Sequence, residues 1–247
     1  MSNVAPDASA ELPRHLHPFV LAHPDVPRIR RERYDVYAPP GDRERPAIVF
    51  MHGLYPAELQ PTARDWPTYI GYGATATTRG ATGIVLDVPL HDPGDYPAIA
   101  STVAAAIEDV RREPTVDADR VAVWAFSGGG LLSGYWLREP PSWLRCLALS
   151  YPVLAPLPGW QVDAAYQPID ALESPAPPIV LSRAGQDVPE VAATVPPFLG
   201  RAGELGVHVE LIDVPEGQHG FDSLDHTDAS RDAVHAGFDA VLRHLTD

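Results

Sequence analysis

The sequence predicts an α/β protein built on a doubly wound, mostly parallel sheet flanked by helices. Three observations predict it. Several short runs are apolar from end to end: AIVFM over 47–51, GIVLDV over 83–88, VAVWAF over 121–126, LRCLALS over 144–150 and PIVLS over 178–182. A strand covered on both faces needs such side chains on both sides. Helical patterns lie between these runs, with Ile99, Val103, Ile107 and Val110 recurring at three- and four-residue steps within 97–112. Strand and helix alternate along the chain, which is how parallel strands are connected.

Taken in order, residues 1–30 are rich in Pro, His and Ala, show little periodicity and read as a loosely attached lead-in. His15, His17 and His23 have no Cys or Glu at ligand spacing nearby, so no metal site is expected there. RYDVYA (33–38) alternates as an edge strand does, and VHVELID (207–213) alternates near the other edge. The Pro-rich stretch 151–177, with Trp160 and Tyr166, is a possible short cap over a site. The last helix spans 226–246 through Val234, Phe238, Val241, Leu242 and Leu245, with Asp225 as its expected N-cap. One domain over 31–247 is expected, since α/β folds of this size commonly form a single unit.

Composition narrows the function. The formal net charge is −15, from 33 acidic residues against 18 basic ones, and every basic one is arginine because the chain has no lysine. An acidic surface repels phosphate backbones and anionic lipid, so neither nucleic acid nor membrane is an expected partner. Without lysine there is no Schiff-base or P-loop chemistry. The single cysteine, Cys146, lies in an apolar run and reads as a small core residue in a chain that forms no internal disulfide. With no secretory-type N-terminus and no apolar run of spanning length, a cytoplasmic protein is expected.

The chemistry gathers after strand ends, where open α/β sheets bind ligands. Four stretches follow such ends: HGL (52–54), SGGG (127–130), AGQD (184–187) and EGQHG (216–220). They supply Ser127, Asp187 and His219 in that order. A serine hydroxyl needs a base to become a nucleophile, and the base needs an acid to hold its tautomer. Asp213 is the main rival to Asp187, with Asp222 behind it, and both read as loop-capping or surface acids. His208, His235 and His244 lie in strand or helix patterns away from any strand end.

These residues resemble the α/β-hydrolase superfamily, whose chain order is nucleophile, acid, histidine. The resemblance covers roughly 33–246, and HG, RAGQDVP and GQHGF make it most similar to small carboxylesterases and dienelactone-hydrolase-like proteins. The nucleophile-elbow pattern G-x-S-x-G appears as Ala125-Phe126-Ser127-Gly128-Gly129, with alanine in place of the first glycine. The resemblance implies Ser127 as nucleophile, His219 as base and Asp187 as its acid. It also implies the N–H groups of Gly128 and Leu54 as oxyanion donors, with Gly53 bending that loop. His52, Gly53, Leu54, Trp160, Tyr166 and the 91–97 loop are the expected substrate surroundings. The implied activity is hydrolysis of a carboxylic ester, thioester or lactone, by a monomer or homodimer acting on a small-molecule acyl substrate without metal or organic cofactor. Acyl transfer or cyclisation with the same residues, and ligand binding without catalysis, are the alternatives.

Overall fold

The structure is a computed structural model and describes residues 12–41 and 43–246. Its strands are β1 (Arg28–Arg30), β2 (Tyr34–Tyr37), β3 (Arg45–Met51), β4 (Thr82–Leu86), β5 (Val116–Phe126), β6 (Leu144–Ser150), β7 (Ile179–Gln186) and β8 (Val209–Gln218). Its helices are α1 (Pro67–Thr78), α2 (Tyr96–Val110), α3 (Ser133–Arg138), α4 (Pro168–Ala171), α5 (Pro189–Ala192), α6 (Val195–Leu205), α7 (Phe221–Leu224) and α8 (Asp228–Thr246). The strands form one sheet in the order β1-β2-β4-β3-β5-β6-β7-β8. β1 and β2 pair antiparallel, as do β2 and β4, and the other pairs are parallel. From β3 the chain winds out to β4 on one side, then returns to place β5 on the other. The crevice at such a reversal, at the carboxyl ends of the strands, is where open α/β sheets hold ligands.

The period-two geometry of β5 divides its side chains between two cores. Val121, Val123 and Ala125 join the layer of α2, α3 and α6. Ala122, Trp124 and Phe126 join the layer of α1 and α8. In the second layer Phe238 of α8 meets Trp124 with ring centroids 5.1 Å apart and Tyr72 of α1 at 5.7 Å. Among the described residues no helix is long and apolar enough to cross a membrane.

Several sequence expectations need correction. The lead-in is not loose over its described part, while residues 1–11 of it lie outside the described residues. Phe19, Val20 and Leu21 are buried, and the Phe19 ring lies 4.7 Å from that of Tyr72. Arg28 and Arg30 grip the fully buried Asp35 at 3.4 and 3.2 Å, which ties β1 to the sheet. β2 is therefore not an edge strand: β1 covers it, and all four of its residues are buried. Asp225 does not cap α8. Thr227 stands ahead of that helix and accepts the Ser230 N–H at 3.1 Å, while Asp225 accepts from Gln218 instead.

Most of the 151–177 segment packs onto the sheet, and Tyr151 is its one residue on the wall of the pocket that holds Ser127. Val153, Leu154, Ala171 and Leu172 are buried in the α2–α3 layer, and Trp160 and Tyr166 pack against the same layer. Tyr166 stacks on Tyr96 at 6.1 Å, on the far side of the sheet from Tyr69 and Phe126.

Candidate active site

The elbow is built where β5 runs out. Ser127 adopts φ 50, a left-handed conformation that a serine keeps only when its surroundings enforce it. Three bonds do so. The Ser127 carbonyl accepts from Val153 N–H at 2.9 Å, the Gly128 carbonyl from the Tyr96 hydroxyl at 2.8 Å, and the Gly130 carbonyl from the Ser133 hydroxyl at 2.6 Å. The need for glycine here is one of distance. A Cβ on Gly129 would lie 2.6 Å from the His52 carbonyl oxygen, and one on Gly53 would lie 2.8 Å from the Ser127 Cβ. The loop after β3 thus passes against the elbow with no room for a methyl group. That closeness brings the Leu54 nitrogen within 3.3 Å of where a Gly128 Cβ would stand, so the two amides border one small space.

Three segments converge on Ser127. Its Oγ lies 2.8 Å from His219 Nε2, and His219 Nδ1 lies 2.7 Å from Asp187 Oδ1. A carboxylate accepts, so Nδ1 carries the ring proton and Nε2 is left to accept from the serine hydroxyl. Asp187 follows β7 directly, with a side chain only 4% exposed, and its Oδ1 also accepts the Val188 N–H at 2.7 Å. His219 follows β8 in a turn closed by Gly220 at φ 83. Neither rival hydrogen-bonds to His219. Asp213 pairs with Arg183 at 2.7 Å, and Asp222 is fully buried rather than a surface acid.

A cavity of about 380 Å³ opens over Ser127 and His219. Leu54, Trp66, Tyr69, Phe126 and Val188 give it an apolar wall, and Arg14 and His15 form part of its rim. Trp160 and Tyr166 do not line it, and neither does the 91–97 loop. That loop instead turns inward: His91 Nδ1 lies 2.9 Å from the Tyr55 carbonyl, and Tyr96 holds the elbow from behind. His52 is not a substrate contact. It is buried beneath the loop, its Nε2 accepts the Val88 N–H at 3.3 Å, and Nδ1 is left to donate to the Gly53 carbonyl at 2.8 Å. Burial holds its pKa below the ordinary imidazole value, so it stays neutral and keeps both bonds.

Sequence reasoning missed the residues behind His219. Tyr151 faces the imidazole with ring centroids 4.9 Å apart at 62°. Its hydroxyl donates to Asp222, whose carboxyl burial pushes up to about 6. Among the described residues no three His, Cys, Asp or Glu side chains gather as a metal site requires.

No protein-family model and no curated protein matches the sequence. Solved structures do match in fold. Esterase 2 of Thermogutta terrifontis phosphonylated by cyclosarin superposes with a TM-score of 0.70 at 18% identity, over 90% of this chain and 95% of that one. The apo form of the same esterase gives 0.67 at 18% identity, over 96% and 97%. A truncated carbohydrate esterase from gut microbiota gives 0.66 at 17% identity, over 87% and 91%. With the sheet order above, this likeness identifies an α/β-hydrolase fold.

Proposed function

We propose that the protein is a serine hydrolase that cleaves a carboxylic ester through an acyl-enzyme. The observation that carries this reading is the unbroken chain Ser127 Oγ–His219–Asp187 at 2.8 and 2.7 Å, mounted on a left-handed serine that faces an open cavity. Ser127 Oγ attacks the acyl carbonyl while its proton passes to Nε2 of His219. Asp187 holds the Nδ1 proton and stabilises the imidazolium. The N–H groups of Leu54 and Gly128 receive the developing oxyanion, and losing one such donor typically costs about 10²–10³ in turnover. His219 then gives its proton to the departing alcohol. Water, deprotonated by the same nitrogen, attacks the acyl carbon and releases the acid and Ser127. No step calls for a metal or organic cofactor.

A cavity of about 380 Å³ suits a small acyl group on an ester, thioester or lactone. The HG, RAGQDVP and GQHGF stretches favour small-carboxylesterase or dienelactone-hydrolase-like chemistry within that class. The fold neighbours are esterases, one of them phosphonylated by cyclosarin, which supports an organophosphorus reagent as the first probe. The free, buried Cys146 accords with a reducing, cytoplasmic setting.

The test is labelling by a fluorophosphonate, wild type beside Ser127→Ala, with the modified peptide located by mass spectrometry. The expected result is one adduct on Ser127, absent from the variant, together with hydrolysis of short p-nitrophenyl esters. A folded wild type that neither labels nor hydrolyses any short ester would overturn the reading.

A further inference from the structure

Among the described residues, Asp222 is the one carboxyl on the cavity wall that the proposed reaction leaves unused. It is 0% exposed. Its Oδ2 accepts the Tyr72 hydroxyl at 2.9 Å, and the Tyr151 hydroxyl lies 2.9 Å from each of its oxygens. Its own carbonyl accepts the Val20 N–H at 2.9 Å, so the N-terminal segment holds it from a further side. Among the described residues no arginine pairs with it. A buried carboxylate without a cation is costly, and two hydroxyl donors only partly offset that cost.

The groups around this carboxyl point to His219 as its electrostatic counterpart. Tyr69 and Tyr72 face it from α1, Tyr151 from the loop after β6, and His219 from the loop after β8, with Arg14 and His15 on the rim of the shared cavity. His219 in turn meets Ser127, Asp187 and the Tyr151 ring. Tyr151 is held from both ends: its backbone sits at φ 36 with its N–H on the Ser182 carbonyl at 2.8 Å, and its hydroxyl sits on Asp222.

We propose that Asp222 is a second carboxylate of the catalytic centre, a positioning residue that sets the Tyr151 ring against His219 and stabilises the imidazolium formed when Ser127 gives up its proton. This rests on the hydrolase reading above. One anion, Asp187, binds the imidazole directly and fixes its tautomer. The other acts without touching it, through Tyr151 and through space.

The deciding experiment follows the titration of the His219 Cε1–H by NMR in wild type and in Asp222→Asn, with the resonance assigned by His219→Gln. With one anion fewer, the midpoint should lie lower in Asp222→Asn than in wild type, the direction that loss of a nearby negative charge gives. The acidic limb of kcat/KM for p-nitrophenyl acetate should move down with it, while the plateau falls about tenfold, a typical step for a supporting group. Tyr151→Phe removes only the hydroxyl and should lower kcat with little change in KM. It also serves as the test should the asparagine variant not fold. Unchanged midpoints and limbs beside an active wild type would overturn this inference alone. A wild type that neither labels nor hydrolyses, yet shows the shifted midpoint, would overturn the hydrolase reading and leave the electrostatic link standing.

Discussion

Replacing Asp222 with asparagine removes one ionisation from a place without solvent, and the folding equilibrium should register the loss. Burial raises the native carboxyl to about 6, against the pull of the Tyr151 and Tyr72 hydroxyls. An unfolded chain ionises aspartate near ~3.9. Between about pH 4 and pH 6 the native state therefore keeps a proton that the unfolded state has released, and stability falls as pH rises. A gap of about two pH units is worth ~3 kcal/mol, present in full below about pH 4 and lost above about pH 6. Many other acids titrate in this window, so the useful quantity is the difference between wild type and Asp222→Asn. Urea unfolding at pH 4, 5, 6 and 7 gives that difference, and the constant offset from exchanging an oxygen for an amide cancels. It should fall by ~3 kcal/mol from pH 4 to pH 7 in the disfavour of wild type. A difference that stays level within ~1 kcal/mol, the extrapolation error, or that rises with pH, would refute the burial argument.

Other consequences follow from the packing around the site. Gly53→Ala places a Cβ 2.8 Å from that of Ser127, so kcat should drop by about 10² or more through the displaced oxyanion donor, while fluorophosphonate adducts still form slowly. Phe238→Ala empties a fully buried ring site among Trp124, Tyr72 and Phe50 and should cost ~3–5 kcal/mol in urea unfolding, with residual activity at 25 °C unchanged in KM. Arg14 lends its guanidinium to Gln218 Oε1 at 3.2 Å and forms part of the cavity rim. Arg14→Gln should raise KM several-fold for an ester whose acyl group ends in a carboxylate and leave a neutral ester of equal length unaffected, the modest scale of a solvated charge pair. Equal effects on both esters would assign Arg14 to holding the N-terminal segment instead.

Much of the architecture was legible because burial on two faces leaves a local trace. LRCLALS reads as a strand and is one over its whole length, as β6. The order Ser127, Asp187, His219 was legible because each follows a strand end, and strand ends converge in this class of sheet. Helix α1 was not, since Thr68, Tyr69, Gly71, Tyr72 and the run from Gly73 to Thr77 are all buried and no polar face marks its period. Phe19–Leu21 was hidden by the opposite cause: three apolar residues among prolines have no period at all. Trp160 and Tyr166 misled because a large aromatic residue in a Pro-rich stretch suits a pocket wall and a core face equally well. Their side of the sheet is decided by where the chain crosses after β6. Asp222 looked like a surface acid because its partners, Tyr72 and Tyr151, lie 150 and 71 residues away.

The two strained residues of the site explain each other. Among the described residues only Ser127 and Tyr151 are non-glycine with positive φ, at 50 and 36. β5 and β6 run parallel with Phe126 opposite Ser150, so Ser127 and Tyr151 occupy the same step, one residue beyond the last paired positions. Neighbouring strands thus end in the same left-handed turn, and each delivers a side chain into the space that His219 enters from the loop after β8. Such conformations cost about 1–3 kcal/mol each and survive only where several contacts fix them. Here Val153 N–H to Ser127 and Tyr151 N–H to Ser182 bind each turn to its surroundings. The nucleophile and the wall behind its base are then one structural unit, repeated across adjacent strands, and a change that relaxes Tyr151 should disturb His219 before it disturbs Ser127.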